Sequence, residues 1–268
     1  MNTALHIESA GNGPELVLLH GWALHGGVWD TLVPRLAPHF HVTRVDLPGH
    51  GKSRGVPLSA DLAQVAAGVL AVTPADAIWL GWSLGGLVAM RAALDAPTRL
   101  RALVLANGTP RFVTAADWPC AMPPEQLEEF ASGLSTDYRG TLQRFLSLQV
   151  RGDTAARETL RQLRDSLFAR GEPGAADLAV GLELLRLSDL RDELSRLRLR
   201  TLVLAGNHDR LTPPAASEVM AKLIPQAALR TIQGAAHAPF LSHAGDFVAA
   251  LLAFSRELDS KAVRLAVL

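Results

Sequence analysis

The sequence predicts an α/β fold: a mostly parallel central sheet flanked by helices, with an all-helical segment inserted between two of its strands. Three observations carry that expectation. Short apolar runs alternate with longer helical patterns, the signature of βαβ units. Several of those runs close in glycine- or asparagine-containing turns. From Arg111 to Leu187 the rhythm stops, leaving helical patterns and no convincing strand.

Glu15–Leu19 reads as a strand closing at His20-Gly21. Val42–Val45 reads as another, closing at Asp46 before the turn Leu47-Pro48-Gly49-His50-Gly51. Ile78–Leu80 runs into Gly81-Trp82-Ser83-Leu84-Gly85, and Leu84–Leu94 then has the character of a buried helix. Leu100–Leu105 and Thr201–Leu204 are further core strands, ending at Asn107-Gly108 and Gly206-Asn207. A last strand around Leu229–Ile232 leads to Gly234-Ala235-Ala236-His237, and Phe240–Leu258 reads as a closing helix. Asp259–Leu268 is compatible with an extra strand, a helix end or disorder.

Inside the inserted segment, helical patterns cover Pro124–Ser132, Tyr138–Val150, Thr154–Phe168 and Ala175–Leu187. Pro123-Pro124, Arg151-Gly152 and Glu172-Pro173-Gly174 punctuate them. Open α/β sheets bind ligands beyond their strand ends, so an insertion there reads as a lid. The expected division is a first core part over 1–110, a helical lid over 111–187 and a second core part over 188–268.

Composition narrows the function classes. A chain of 268 residues buries about three quarters of its unfolded surface and needs no staples. Its 26 Lys+Arg balance 26 Asp+Glu, which argues against the broad basic footprint of a nucleic-acid binder. Cys120 is the single cysteine, so intramolecular disulfides and thiolate-cluster metal sites are excluded and a reducing, cytoplasmic setting is expected. The opening residues lack the charged head and apolar run of an export signal, and the apolar stretch 77–94 is too interrupted for a membrane span. No H-E-x-x-H, G-x-G-x-x-G or P-loop pattern occurs, so neither a metal nor a cofactor is expected.

Gly81-Trp82-Ser83-Leu84-Gly85 matches G-x-S-x-G between a predicted strand and a predicted helix. Small neighbours are needed there because the serine sits on a sharp, strained turn. A serine hydroxyl is a weak nucleophile and needs a base, which needs an orienting carboxylate. Asp209 follows the strand Thr201–Leu204, and His237 follows the last predicted strand, giving the chain order Ser, acid, His at one sheet edge. Singly, Asp209 is readable as a turn cap and His237 as a core histidine; the ordered set favours catalysis. His208 is a weaker candidate than its neighbour Asp209. His20, His25, His50 and His243 read as structural or pocket-lining, and Cys120 lies away from any elbow. The oxyanion hole is expected to pair the backbone N–H groups of Leu84 and Trp22, and one such donor contributes about 3 kcal/mol. The Trp22 indole would also wall the acyl pocket.

These residues carry a family resemblance. Leu19-His20-Gly21-Trp22, Asp46–Ser53, Gly81–Gly86 and Gly206-Asn207-His208-Asp209 are similar to the α/β-hydrolase pattern over nearly the whole chain. More narrowly, Leu19–Leu24 with Val28-Trp29, the Gly-Trp-Ser-Leu-Gly-Gly elbow, Arg144–Gln149 and Ala235–Phe240 resemble the BioH family of biotin-pathway carboxylesterases. That family hydrolyses the methyl ester of pimeloyl-acyl carrier protein. The resemblance implies Ser83 as nucleophile, Asp209 as orienter and His237 as base. It also implies substrate contacts from Trp22, Ser83, Leu84, Phe145, Leu146, Ser147, Leu148, Gln149 and His237, and it suggests a monomer.

A carrier-linked ester is a long, mainly apolar rod, and it needs a greasy tunnel with a dock for an acidic protein at its mouth. The inserted segment carries Arg139, Arg144, Arg151, Arg157, Arg161 and Arg164 against Asp153 and Glu158, and Arg157, Arg161 and Arg164 share one helix face. Arg144, Arg157, Arg161 and Arg164 are the expected contacts for acyl carrier protein, speeding encounter more than strengthening affinity. Two competitors stand beside this reading: a general short-chain carboxylesterase, lactonase or C–C hydrolase on the same fold, and a non-catalytic ligand receptor.

Overall fold

A computed structural model describes residues 4–266 of the chain. In chain order the elements are β1 (Ile7–Ala10), β2 (Glu15–Leu19), α1 (Val33–Leu36), β3 (His41–Val45), α2 (Leu62–Val72), β4 (Ala77–Trp82), α3 (Leu84–Asp95) and β5 (Leu100–Ala106). Four helices follow: α4 (Pro124–Thr136), α5 (Tyr138–Gln149), α6 (Ala156–Leu167) and α7 (Ala175–Leu187). The chain then completes the sheet with β6 (Thr201–Gly206), α8 (Pro214–Leu223), β7 (Ala227–Ile232), α9 (Pro239–Ser242) and α10 (Ala244–Ala266). The fold is α/β, with helices flanking a seven-stranded sheet in the order β1-β3-β2-β4-β5-β6-β7.

Among the described residues only β1 runs antiparallel to its neighbour, and every other pairing is parallel. Every residue of β4 and of β6 is buried, as strands covered by helices on both faces require. The strand order reverses between β2 and β4, which lie side by side. Such a switch point opens a crevice at the carboxyl ends of the strands. The loop after β2 and the turn after β4 therefore face each other across it.

Several elements depart from the sequence reading, which named neither α1 nor α2. β1 is an edge strand with alternating exposure, so its run holds no continuous apolar signal. β7 starts at Ala227, earlier than Leu229, and is half-exposed at the opposite edge. The expected closing helix is split by His243 into α9 and α10, and α10 continues through Ala266, so 259–266 are helical; residues 267 and 268 lie outside the described residues. Helix α6 starts two residues after the expected Thr154, and the Thr154 N–H donates to the Gly234 carbonyl at 2.9 Å. Among the described residues no helix is long and apolar enough to cross a membrane.

The helical insertion is tied to the sheet body by polar contacts. Trp22 Nε1 donates to the Leu178 carbonyl at 2.9 Å, His25 Nε2 to that of Ser166 at 2.7 Å, and the Leu58 N–H to Asp177 Oδ1 at 2.8 Å. Arg170 bridges to Glu8 at 2.6 Å and to buried Asp46 at 3.2 Å. Partial burial pushes the Glu8 carboxyl up, but hydrogen bonds from His6, Lys52 and Arg170 outweigh it and hold Glu8 at about 2.

Candidate active site

Ser83 stands between β4 and α3 with φ +55° and ψ −117°, a strained conformation for a residue bearing a Cβ. The turn is possible only with glycine on either side. A Cβ at Gly81 would collide with the Gly85 carbonyl, and one at Gly85 would lie 2.5 Å from the Leu19 carbonyl oxygen. The sharp turn lifts the Ser83 side chain clear of the strand and leaves the Leu84 N–H at the first turn of α3.

His237 lies beyond β7, and Asp209 lies beyond β6. The His237 Nδ1–H donates to Asp209 Oδ2 at 2.8 Å, with both side chains buried. That bond fixes the tautomer and leaves Nε2 to act as acceptor; Nε2 is buried and has no partner among the described residues. No hydrogen bond joins it to Ser83 Oγ, a contact that commonly tightens only when substrate binds. The His237 main chain is held as well, because Trp82 Nε1 donates to its carbonyl at 2.7 Å.

Asp209 is over-determined. Its Oδ1 accepts from the N–H groups of Leu211 at 2.8 Å and Thr212 at 3.1 Å. Its Oδ2 accepts from Asn107 Nδ2 at 2.6 Å and Thr212 Oγ1 at 2.6 Å, besides His237. Burial pushes this carboxyl up, yet the facing His237 and the hydrogen bonds from His237, Asn107 and Thr212 hold it below the usual carboxylate range. Asn107 and Thr212 escaped sequence reading. The available signal was Asn107 at a strand end, where its φ of +44° suits asparagine better than most residues.

The loop after β2 faces the elbow: a Cβ at Gly21 would lie 3.2 Å from the Ser83 Cβ. The backbone N–H groups of Trp22 and Leu84 donate to nothing among the described residues. Two neutral histidines brace this loop. His20 accepts from the Leu47 N–H at 2.9 Å and donates to the Gly21 carbonyl at 2.8 Å. His50 accepts from the Ala23 N–H at 3.3 Å and donates to the Pro48 carbonyl at 2.8 Å. Burial, with His50 beside it, pushes His20 down to about 3, and burial lowers His50 too.

The Trp22 indole meets Phe145 edge-on at 4.7 Å, and Phe145 meets Phe130 at 5.4 Å. The indole also abuts Gly181, where a Cβ would come within 2.6 Å of it. Phe145, Leu146 and Gln149 are buried on α5, and both polar side-chain atoms of Gln149 lack a partner among the described residues. Ser147 is exposed and Leu148 half-buried; both line an outer groove with Phe130, Arg144 and Arg151.

The expected arginine stripe carries less free charge than spacing implied. Arg161 is gripped by Glu158 at 2.6 Å and Asp165 at 2.9 Å, and Arg144 by Asp137 at 2.9 Å. Asp165 lies one residue beyond Arg164, at the end of the arginine stripe. Arg157 and Arg164 are exposed and make no ion pair among the described residues.

A family profile described as alpha/beta hydrolase fold matches residues 14–244. A pimeloyl-acyl carrier protein methyl ester esterase of Xanthomonas oryzae is 51% identical over 250 residues, covering 93% of this chain and 98% of that protein. Its counterpart in Stenotrophomonas maltophilia is 48% identical over 255 residues, covering 95% and 98%. Among solved structures, a thermophilic esterase from Thermogutta terrifontis superposes with a TM-score of 0.79 at 26% identity, covering 95% of this chain and 93% of that one. A hydrolase from Pseudomonas aeruginosa gives 0.76 at 30% identity, covering 93% and 92%.

Proposed function

The chain belongs to the pimeloyl-acyl carrier protein methyl ester esterase family of α/β hydrolases, and from that premise we propose that Ser83, His237 and Asp209 carry its reaction. The protein is a carboxylic ester hydrolase, acting on the methyl ester of pimeloyl-acyl carrier protein in biotin synthesis. The observation that supports the assignment best is the buried 2.8 Å bond from His237 to Asp209, on the sheet edge where Ser83 holds its strained turn.

Ser83 Oγ attacks the ester carbonyl while His237 Nε2 takes its proton. The oxyanion forms against the Trp22 and Leu84 N–H groups, which no protein acceptor occupies. As the carbonyl re-forms, His237 returns the proton to the methoxy oxygen and methanol leaves. Water, giving its proton to His237, then attacks the acyl-enzyme, and Ser83 departs with that proton to free the pimeloyl carboxylate. Asp209 stays ionised throughout, holding the imidazole tautomer and stabilising its cation.

The helical insertion serves as the lid of the site, between core parts 1–110 and 188–268. Trp22 and Phe145 wall the acyl chain with Leu146 and Gln149 on the same buried face of α5, while Ser147 and Leu148 contact the substrate from the outer groove. Acyl carrier protein docks on the outer lid, where Arg157 and Arg164 offer unpaired cations and Arg144 and Arg161 offer cations already shared with carboxylates. The enzyme works as a cytoplasmic monomer, without metal or cofactor. A fluorophosphonate probe tests the nucleophile: one covalent adduct is expected, on Ser83, and none on Ser83→Ala. Failure to label wild type would favour a ligand receptor.

A further inference from the structure

The insertion does more than cover the site, because it grips the loop that carries the base. The last residue of α5 and the turn that follows it make three hydrogen bonds to residues 234–237. The Gln149 carbonyl accepts from the His237 N–H at 3.0 Å. Asp153 Oδ2 accepts from the Ala236 N–H at 2.8 Å, and Asp153 Oδ1 accepts from the Ala155 N–H at 2.8 Å. The Thr154 N–H donates to the Gly234 carbonyl at 2.9 Å. Gly234 has φ +80°, and a Cβ there would lie 2.9 Å from Thr154 Oγ1, so turn and loop are closely fitted.

We infer that Asp153 is a positioning residue for His237, and that the α5–α6 turn is the mount on which the catalytic base sits. Asp153 is the one side chain in this set of contacts; the other partners are main-chain atoms. Its carboxylate joins the lid turn to the residue immediately before His237, and both residues are buried. Asp209 and Trp82 hold the imidazole and the carbonyl of His237 from the core side. The lid turn holds the N–H side. His237 is therefore aligned by two separate parts of the chain, and this end of the insertion is a fixed part of the catalytic framework. Displacement of a reacting group by about 1 Å costs on the order of a hundredfold in rate. The expected cost of losing this tether is of that kind, with substrate binding spared.

The inference rests on Ser83 and His237 being nucleophile and base. Asp153→Ala and the milder Asp153→Asn are compared with wild type and Ser83→Ala on p-nitrophenyl butyrate, with active sites counted by fluorophosphonate titration. The expected result is a kcat per titrated site about a hundredfold lower in Asp153→Ala. Asp153→Asn, which keeps one acceptor oxygen, falls between that variant and wild type, and KM is unchanged in both. A residue that merely stabilised the lid would lower Tm and leave kcat per titrated site at the wild-type value; that result overturns the inference. An inactive Ser83→Ala beside a fully active Asp153→Ala refutes the mount alone. An active Ser83→Ala refutes the catalytic reading itself.

Discussion

Asn107 Nδ2 donates to Asp209 Oδ2 across 2.6 Å, reaching from the end of β5 to the loop after β6. Sheet pairing makes this possible, since β5 and β6 are adjacent and parallel and so finish at the same edge. The same amide also donates to the Ala236 carbonyl at 3.1 Å, just before His237. One side chain thus bridges the two loops that carry Asp209 and His237.

Removing that amide should weaken catalysis through the acid. A hydrogen bond to a charged group contributes about 1.5–3 kcal/mol. Asn107→Ala is expected to lower kcat/KM by about tenfold or more. Asn107→Asp should do worse, setting a second carboxyl against Asp209. Steady-state kinetics on a soluble ester check both, and wild-type rates in Asn107→Asp would contradict the assigned role of Asp209.

Acid should destabilise the protein earlier than carboxylates alone would. His20 is held neutral to about 3 in the fold, whereas an unfolded histidine protonates near 6.5. The unfolded state therefore binds more protons between those values, and stability falls as pH drops below about 6.5. His50 acts in the same direction. Asp209, whose value is lowered, contributes stability that is lost only below its ordinary 3.8. Thermal melts from pH 8 to pH 4 should show Tm falling from near pH 6.5; a flat profile down to pH 4.5 would count against buried neutral histidines.

Two glycines should respond oppositely to alanine. Gly85→Ala drives a methyl group to 2.5 Å and 2.7 Å from the Leu19 and His20 carbonyl oxygens, and should cost about 3 kcal/mol or more. Gly68 lies in α2 with nothing within 4 Å of its Cβ position, so Gly68→Ala should stabilise by about 0.5–1 kcal/mol. Melting temperatures decide both, and equal Tm values would contradict the packing described.

Charge reversal at Arg157 and Arg164 should separate docking from chemistry. The double variant to Glu is expected to lower kcat/KM for the carrier-linked ester by about tenfold at low salt, with the difference shrinking as salt rises. Hydrolysis of p-nitrophenyl butyrate should not change. Equal losses on both substrates would remove docking from the account.

Much of this was legible in the sequence, and the limits are physical. Core strands announce themselves because burial on both faces demands unbroken apolar runs, as in Leu16–Leu19 and Leu202–Leu204. The edge strand Ile7–Ala10 has one face exposed and left no such run. The proposed set Ser83, Asp209 and His237 rests on local turn chemistry and chain order, and the structure joins Asp209 and His237 at 2.8 Å. Asn107 and Thr212 were not, because hydrogen bonds to Asp209 depend on which strands become neighbours. Asp153 was hidden further still: its partner is a main-chain N–H, 83 residues away, which no side-chain pattern encodes. Spacing placed Arg157, Arg161 and Arg164 on one face, but their free charge depended on Asp165 as well.

The most direct test of the account is the hydrolysis of pimeloyl-acyl carrier protein methyl ester, followed by release of methanol and of the free carboxylate. Wild type is predicted to act on it with a far higher kcat/KM than on p-nitrophenyl butyrate, and Ser83→Ala to have no activity on either. Comparable rates on the two esters, or turnover of the carrier-linked ester by Ser83→Ala, would contradict it.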